Sequence, residues 1–263
     1  MATVRHIGLC GYALQRTRWR VKTRFEPAPP RTLKRFFFLT IILCALCSCG
    51  DRAKNRAKNG DVPKPMRTEL TEKKLESGSP VFIRAFKEER ELELYLESKS
   101  TGKFELFRTY PIAAASGKLG PKLAEGDRQV PEGFYLSRAS DMNPNSSFHL
   151  SFNVNYPNAY DRAHERTGSF IMIHGSNVSV GCLAMTDEKI EEIYTLCQAA
   201  LDNGQPFFRV HIFPFRMTPE RMAKTAGSPH LPFWENLKTG YDLFEKYKIP
   251  PNATVRDKAY VFE

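Results

Sequence analysis

The chain has 263 residues, 41% of them hydrophobic and 26% charged, a composition ordinary for a soluble protein with one sizeable core. Its formal net charge of +10 is concentrated near the N-terminus: residues 1–35 carry nine basic side chains against one acid, residues 36–66 five against two, and residues 67–263 carry 25 against 26. Because a nucleic-acid-binding domain needs its excess cations on the folded surface, this distribution excludes nucleic acid as the expected partner.

The N-terminal region has the order of an export signal. Lys34 and Arg35 precede an apolar run over residues 36–46 (FFFLTIILCAL), which leads into Leu-Cys-Ser-Cys at residues 46–49. Eleven helical residues span about 16 Å, roughly half of a bilayer's hydrocarbon core, so we predict a signal segment and not a membrane span. The last four residues resemble a bacterial lipobox, which predicts an exported lipoprotein of the periplasm or cell envelope, anchored to the membrane through Cys49. Cleavage by an ordinary signal peptidase and an uncleaved anchor are the alternatives.

Three segments are predicted along the chain: a signal or export segment over residues 1–49, a tether over residues 50–79 and a catalytic domain over residues 80–263. The second segment is polar, rich in lysine and almost free of large apolar residues, which is typical of a flexible connection between an anchor and a domain. A short helix within it is expected near residues 67–75.

A series of β-strands is predicted in the domain, and residues 80–87 and 91–97 show it by alternating apolar and polar side chains. The other strand-like segments are residues 104–112, 133–137, 147–154, 169–174 and 206–214. Glycine and proline residues between positions 117 and 131 indicate a long loop between the third and fourth of these strands.

Three helices are predicted later in the chain. Thr186 is a good N-cap for the first, acidic residues fill its first turn, and Gly204 ends it. The other two are expected over residues 219–226 and 233–247. The sequence therefore predicts a mainly β fold, a sandwich with a few peripheral helices.

Cysteine usage does not indicate a disulfide framework or a metal centre. Four of the six cysteines lie in the export segment: Cys10, Cys44, Cys47 and Cys49. The domain contains only Cys182 and Cys197, with no Cys-x-x-Cys pair, so neither a metal nor another cofactor is expected. Cys197 fits a small core residue. A Cys182–Cys197 bridge stays open as an alternative, although it would consume a candidate nucleophile.

The candidate site lies in residues 170–194 (FIMIHGSNVSVGCLAMTDEKIEEIY). A buried-strand pattern leads to His174, and a loop rich in glycine and serine then leads to Cys182. A thiol is a weak nucleophile until it loses its proton, and an imidazole brought close by this loop can accept that proton. Gly181 would let backbone N–H groups near Cys182 approach a developing oxyanion.

Taken alone, a cysteine and a histidine eight residues apart are weak evidence of catalysis. The same pair fits a buried structural thiol beside a hydrogen-bonded histidine. A serine nucleophile at Ser176 or Ser179 is disfavoured, because the glycines do not form a Gly-x-Ser-x-Gly motif.

The sequence motifs around His174 and Cys182 are more specific than the pair itself. IMIHG…SxGC…MTDE resembles the YkuD-type L,D-transpeptidase catalytic domain family, and in detail its YafK-like branch. Four further segments carry the same resemblance, at residues 115–135, 148–162, 211–218 and 233–247 (ASGKLGPKLAEGDRQVPEGFY, FHLSFNVNYPNAYDR, HIFPFRMT and FWENLKTGYDLFEKY). The resemblance therefore covers almost all of residues 80–263.

This resemblance implies a fold, a reaction and site residues. The fold would be a YkuD-like β-sandwich of mixed sheets with a few peripheral helices, one of them directly after the catalytic cysteine. Cys182 would be the nucleophile and His174 its base, with the backbone carbonyl of Gly175 orienting the imidazole. Ser179 and Gly181 match the family's Ser/Thr-x-Gly-Cys motif, which would form the loop and the oxyanion site beside the nucleophile. The substrates would be diaminopimelate-containing stem peptides of peptidoglycan, attacked through a thioester.

One departure from the family pattern bears on the acceptor. Most members of the wider family have a second histidine two residues before the cysteine, and this chain has Val180 there. The YafK-like branch tolerates that change and is associated with hydrolysis that releases murein-attached lipoprotein. Three functions stay open: a transpeptidase with an amine acceptor, a hydrolase (amidase) with water, and a catalytically idle peptidoglycan-binding module.

Other polar residues are weaker candidates for substrate binding. His149, Tyr156 and Arg216 lie within the segments that carry the family resemblance. Arg216 could hold a substrate carboxylate by two hydrogen bonds. An internal salt bridge of Arg216 and a structural hydrogen bond of His149 are the alternatives. Lys118 and Lys122, in the glycine-rich loop, are weaker candidates still, with solvated surface residues as the alternative.

Overall fold

The structure is a computed structural model that describes residues 51–263. The predicted export segment of residues 1–49, with its apolar run and Cys49, lies outside the described residues. Within residues 51–263, no helix combines the length and the apolar character that crossing a bilayer requires.

Twelve strands and five labelled helices follow one another between residues 64 and 263. The strands are β1 (Val81–Phe86), β2 (Glu91–Glu97), β3 (Phe104–Pro111), β4 (Ala114–Ala115), β5 (Gly133–Ser137), β6 (Met142–Asn143), β7 (Ser151–Asn153), β8 (Met172–His174), β9 (Leu183–Ala184), β10 (Phe208–Phe213), β11 (Ala253–Arg256) and β12 (Ala259–Phe262). The helices are α1 (Lys64–Glu72), α2 (Ala159–Ala163), α3 (Asp187–Asp202), α4 (Pro219–Ala223) and α5 (Leu231–Tyr247). A 3₁₀ turn spans Ala139–Asp141, and residues 51–58 are helical.

Ten of the strands form two five-stranded mixed sheets. The first sheet has the order β3-β2-β1-β10-β5, in which only β1 and β10 are parallel. The second has the order β4-β9-β8-β7-β6, in which only β8 and β9 are parallel. Strands β11 and β12 form a separate hairpin. The prediction of a mainly β fold of mixed sheets with peripheral helices, one directly after Cys182, is confirmed.

One apolar core joins the two sheets and helix α3. Ile83 of the first sheet, Phe152 and Ile173 of the second, and Ile190 and Leu196 of α3 all belong to this cluster of fully buried side chains. Helix α5 covers the opposite face of the first sheet, where aromatic rings dominate. Because both faces of the first sheet are covered, every residue of β1 is buried.

Two predicted strands are shorter in the structure because left-handed residues interrupt them. His149 (φ +68°) and Asn155 (φ +60°) flank the three residues of β7, and Phe170 (φ +53°) precedes β8. A side-chain-bearing residue with positive φ cannot continue an extended strand. The segments 147–154 and 169–174 therefore each contribute only three residues to the second sheet.

The segment predicted as a tether packs against the domain. Ala57, Val62, Met66, Leu70 and Leu75 are buried in the same core cluster as the two sheets. These apolar residues are spaced four or five apart, so helical segments can turn all of them towards the domain. Residues 51–79 therefore form part of the folded unit, where the polar composition predicted a flexible connection.

A wholly buried carboxylate fixes the glycine-rich loop. Glu132, at the end of the loop, accepts hydrogen bonds from Lys87 Nζ at 2.9 Å, from the Gly120 N–H at 2.7 Å and from Trp234 Nε1 at 2.8 Å. Lys87 also donates to the carbonyls of Gly120 and Val130, at 2.8 and 2.9 Å. Burial lowers the pKa of Lys87, and the Glu132 carboxylate opposes that shift.

Glu132→Gln is expected to destabilise the fold by about 3–5 kcal/mol, because it leaves the buried Lys87 ammonium without its counter-charge. Urea unfolding at pH 7 measures the change, and Glu125→Gln, an exposed residue of the same loop, is the matched control that should not move the midpoint. Loss of the carboxylate should lower the pKa of Lys87 further, so the penalty should shrink as the pH is raised towards 10. A loss below about 1 kcal/mol would contradict this account of the pair.

Candidate active site

The parallel pair of β8 and β9 brings His174 and Cys182 to one face of the second sheet. Ile173 is paired with Leu183 and His174 with Ala184. Because side chains alternate along a strand, Ile173 and Leu183 point into the core, and His174 and Cys182 both point to the opposite face. The loop between them thus brings together the two residues that the motif predicts as catalytic.

The imidazole of His174 is held in one tautomer. Its Nδ1–H donates to the carbonyl oxygen of Gly175 at 2.6 Å, which leaves Nε2 free to accept a proton. His174 is only 3% exposed, and the Phe148 ring packs on it with the ring centroids 4.7 Å apart. Burial lowers the pKa of His174, and the Gly175 carbonyl opposes this only in part. The imidazole is therefore neutral near pH 7 and ready to act as a base.

Gly175 has no room for a side chain. A Cβ at this position would lie 2.6 Å from Asp187 Oδ1 and 2.7 Å from the Phe148 carbonyl oxygen. The Gly175 N–H donates to the Leu150 carbonyl at 3.0 Å, which fixes the peptide from the other side. The orientation of the Gly175 carbonyl, and through it that of the His174 ring, is set by this close packing.

Two contacts from helix α3 support this arrangement. Asp187, the first residue of α3, accepts a hydrogen bond from the Ser176 N–H at 2.7 Å. Glu191, one turn later, pairs with His149 Nε2 at 2.7 Å. His149 therefore turns towards α3 and holds the segment that carries Phe148. The sequence had suggested His149 as a substrate-binding residue, with a structural hydrogen bond as the alternative. Asp187 was predicted only as a first-turn helix residue.

Cys182 is a neutral thiol in this arrangement. Its Sγ accepts a hydrogen bond from the Met172 N–H at 3.4 Å and donates to the Phe170 carbonyl oxygen at 3.7 Å. Burial raises the pKa of Cys182, while the Met172 N–H and the charge of Lys122 oppose the shift. Among the hydrogen bonds of residues 51–263 none joins Cys182 to His174. The thiol must therefore turn from the Phe170 carbonyl to reach the imidazole.

Two serine hydroxyls accept hydrogen bonds from the backbone N–H groups at and beside the nucleophile. The Gly181 N–H donates to Ser116 Oγ at 2.6 Å, and the Cys182 N–H donates to Ser179 Oγ at 3.1 Å. Ser116 Oγ donates in turn to the Arg128 carbonyl at 2.8 Å, and Ser179 Oγ to the Cys182 carbonyl at 2.6 Å. The Ser116 and Ser179 hydroxyls therefore occupy the two backbone donors nearest the nucleophile, the kind of donor that a developing oxyanion uses. Ser116 lies 65 residues before Gly181, and no local motif identified it.

A cleft of about 530 Å³ opens at Cys182. Phe170 and Val180, which are 75% and 70% exposed, form an apolar part of its wall. The lining residues are Lys122, Glu125, Gly126, Arg128, Ser169, Phe170, Ile171, Val180, Gly181 and Cys182. His149, Tyr156 and Arg216 are not among them.

Lys122 and Tyr156 support one wall of this cleft. Lys122 is buried, and its Nζ donates to the Ala124 carbonyl at 2.8 Å and to Asp127 Oδ1 at 2.6 Å. These acceptors draw the ammonium inward, so the alternative of a solvated surface residue is wrong for Lys122. The buried Tyr156 hydroxyl donates to the Lys122 carbonyl at 3.1 Å. Tyr156 therefore supports the backbone of a residue in the cleft wall and does not itself line the cleft.

Arg216 lies in an ion-pair network of the first sheet. Its guanidinium pairs with Glu91 at 2.6 Å and with Glu93 at 2.8 Å, and it packs over the Phe86 ring. Glu93 also binds the buried Arg84 at 2.8 Å. This arrangement matches the internal salt bridge that the sequence left as an alternative to substrate binding.

The remaining cysteine takes no part in the site. Cys197 is fully buried in the core, and both Cys182 and Cys197 are free thiols, so the alternative of a bridge between them is wrong. Within residues 51–263 no group of three or more His, Cys, Asp or Glu side chains is placed to hold a metal ion.

Comparisons with known proteins agree with the motif. The family model described as the YkuD L,D-transpeptidase catalytic domain matches residues 80–240. The protein named "Putative L,D-transpeptidase YafK" of Escherichia coli K12 is 46% identical over 184 residues, which are 70% of this chain and 74% of that protein, and its counterpart in Escherichia coli O157:H7 matches equally.

Solved structures share a more distant likeness. The helical cell shape determining protein Pgp2 of Campylobacter jejuni aligns with a TM-score of 0.40 and 20% identity, over 73% of this chain and 80% of that one. Bd1075 of Bdellovibrio bacteriovorus aligns with a TM-score of 0.39 and 18% identity, over 68% and 78%.

The His174 imidazole should titrate with a midpoint below the ordinary histidine value of 6.5, because burial disfavours its charged form. Its base form then persists to lower pH than that of an exposed histidine. NMR titration of the ring protons, assigned by comparison with His174→Gln, measures the midpoint. A midpoint above 6.5 would contradict the neutral pair, because it would indicate a thiolate–imidazolium pair at rest.

Asp187→Ala should lower the turnover rate of the cysteine-dependent reaction by about 10- to 100-fold, because the Ser176 peptide and the Gly175 carbonyl beside it lose their support. Asp187→Asn keeps an acceptor oxygen and should recover most of the rate. Glu188→Ala, the next residue of the same helical turn, is the matched control. The positioning role also predicts an altered His174 titration in Asp187→Ala, and an unchanged rate and titration would contradict it.

Proposed function

The chain belongs to the L,D-transpeptidase catalytic domain family, and on that premise we propose that it is an exported cysteine enzyme acting on diaminopimelate-containing stem peptides of peptidoglycan. One observation carries the proposal. The sheet places Cys182 and a neutral, tautomer-fixed His174 on one face, beside N–H groups that already bind oxygen atoms.

The first half of the reaction forms a thioester. Nε2 of His174 takes the thiol proton while Sγ of Cys182 attacks the carbonyl carbon of the substrate amide. The oxygen of the tetrahedral intermediate takes the place of the serine hydroxyls at the N–H groups of Gly181 and Cys182. Collapse breaks the carbon–nitrogen bond, and His174 gives its proton to the departing amine. The acyl group remains on Cys182.

The second half returns the enzyme to its starting state. An acceptor enters the space that the departed amine has left, and His174 takes a proton from it. The acceptor then attacks the thioester carbonyl, the carbon–sulfur bond breaks, and the proton passes back to Sγ. An amine acceptor gives a new amide, which is transpeptidation, and water gives a carboxylic acid, which is hydrolysis.

The environment of Val180 supports water as a second candidate acceptor. Val180 is 70% exposed, lies in the wall of the cleft and offers no polar side-chain atom where the wider family has a histidine. An acceptor amine carries a positive charge before it reacts and gains nothing from an isopropyl group in the wall. The alternative function is therefore an amidase of the same fold that releases murein-attached lipoprotein.

A catalytically idle peptidoglycan-binding module is the least supported alternative. A binding module needs the cleft but has no use for a fixed tautomer of His174 or for a thiol beside it. Export and a lipid anchor at Cys49 complete the proposal. They would place the reaction in the periplasm or cell envelope, where peptidoglycan is the partner.

Mass spectrometry of muropeptides incubated with the protein tests the reaction and its acceptor. Wild type is expected to give crosslinked stems if an amine is the acceptor, or cleaved stems and released lysine-bearing peptide if the acceptor is water. Either product should vanish in Cys182→Ala, and an acyl-enzyme adduct should be seen on Cys182 in wild type alone.

Cys197→Ala is the control for the loss of a thiol, and it should retain the product of wild type. Products that persist in Cys182→Ala would contradict the nucleophile. Absence of any product or adduct from wild type, with muropeptides still bound, would favour the idle binding module.

A further inference from the structure

A basic surface lies on the helical residues 51–58. It consists of Arg52, Lys54, Arg56 and Lys58, four cations within seven residues, with Asp51 as the one acid in the same helical stretch. Among the described residues none of these four side chains forms an ion pair, although Arg56 borders a groove that contains glutamates of α3.

The docked face of the helix fixes the side on which each cation lies. Ala57 is buried against the domain, and Ala53, one turn earlier, faces the same groove as Met66. At 100° per residue, Arg52 and Arg56 fall on one flank of that docked face and Lys54 and Lys58 on the other. Both flanks border the outer ridge, on which Asn55 is exposed.

Positive charge in the rest of the domain is balanced by acidic side chains. Buried or half-buried cations such as Arg84, Lys87, Arg166 and Arg216 each have a carboxylate partner. Residues 67–263 as a whole carry 25 basic and 26 acidic side chains. The excess positive charge of the folded unit is therefore local to residues 51–58, where Arg52 and Arg56 are exposed, Lys54 and Lys58 are half-buried, and Lys58 Nζ donates to Asn145 Oδ1 at 3.5 Å.

We propose that the basic surface docks on a phospholipid bilayer that contains anionic headgroups. Arg52 lies three residues after Cys49, about 11 Å at most, close to one Debye length at physiological ionic strength. This step rests on the anchoring proposed for Cys49, and it makes the bilayer the anionic surface nearest to these cations.

The packing of residues 51–79 connects the basic surface rigidly to the rest of the domain. Because Ala57, Val62 and Met66 are buried in the core, the basic surface cannot move independently of the sheets. Contact between this surface and the headgroups therefore sets the orientation of the whole domain relative to the bilayer. The Cys182 cleft then acts on substrate at a fixed height and angle.

Flotation of the mature chain, acylated at Cys49, with lipid vesicles tests the proposal. The vesicles consist of phosphatidylcholine alone or of phosphatidylcholine mixed with anionic phosphatidylglycerol. Arg52→Gln combined with Arg56→Gln should lower partitioning into the anionic vesicles by about 30-fold and leave partitioning into neutral vesicles unchanged, since each basic residue near an anionic membrane adds about 1 kcal/mol. Raised salt should weaken wild-type binding and narrow the difference.

Lys103→Gln combined with Lys224→Gln is the matched control, because both lysines are exposed and distant in sequence from the basic surface. Equal partitioning of the Arg52/Arg56 variant and wild type would overturn the proposal, as would an equal loss in the control. Loss of binding to purified peptidoglycan with vesicle binding intact would also overturn it in favour of a wall polymer. Cys182→Ala should float like wild type, so a failure of the proposed reaction cannot be mistaken for a failure of this contact.

Discussion

The buried ion pair of Lys87 and Glu132 is the interaction on which the arrangement of the domain depends most. Lys87 follows β1 and Glu132 precedes β5, so the pair closes one end of the first sheet across the intervening strand β10. Glu132 also anchors α5 through Trp234 and the glycine-rich loop through Gly120. That loop begins next to Ser116, whose hydroxyl accepts a hydrogen bond from the Gly181 N–H beside the nucleophile. One carboxylate thus connects the aromatic layer under α5 to the residue before the nucleophile.

The sequence predicted the long elements of the fold well and the short ones poorly. Strands β1, β2, β3 and β10 each have six to eight residues, enough for apolar alternation to emerge. Strands β4, β6 and β9 have two residues each and exist only because neighbouring strands supply their hydrogen bonds. The tether was misjudged for a related reason: its apolar residues are few, but their spacing places them all on the face that meets the core.

The candidate site also contains residues that the sequence could predict and residues that it could not. His174 and Cys182 were predictable because their chemistry and their spacing lie in one short motif. Ser116 was not, because a strand pairing and a long loop bring it to Gly181 from 65 residues away. The sequence left His149 open between substrate binding and a structural hydrogen bond, and in the structure this residue, with a left-handed backbone (φ +68°), pairs with Glu191. Local sequence thus predicts the reacting groups, and tertiary structure decides which other groups orient them.

The protonated state of Cys182 has a consequence for its resistance to oxidation. Thiolates, and not thiols, react with peroxides, and the sulfinic and sulfonic acids formed by further oxidation are irreversible for most proteins. Burial and the Phe170 carbonyl keep the Cys182 proton in place until His174 removes it. A nucleophile that is ionised only during turnover spends little time in its oxidisable form. Such a thiol can persist in an oxidising compartment without a partner cysteine to protect it.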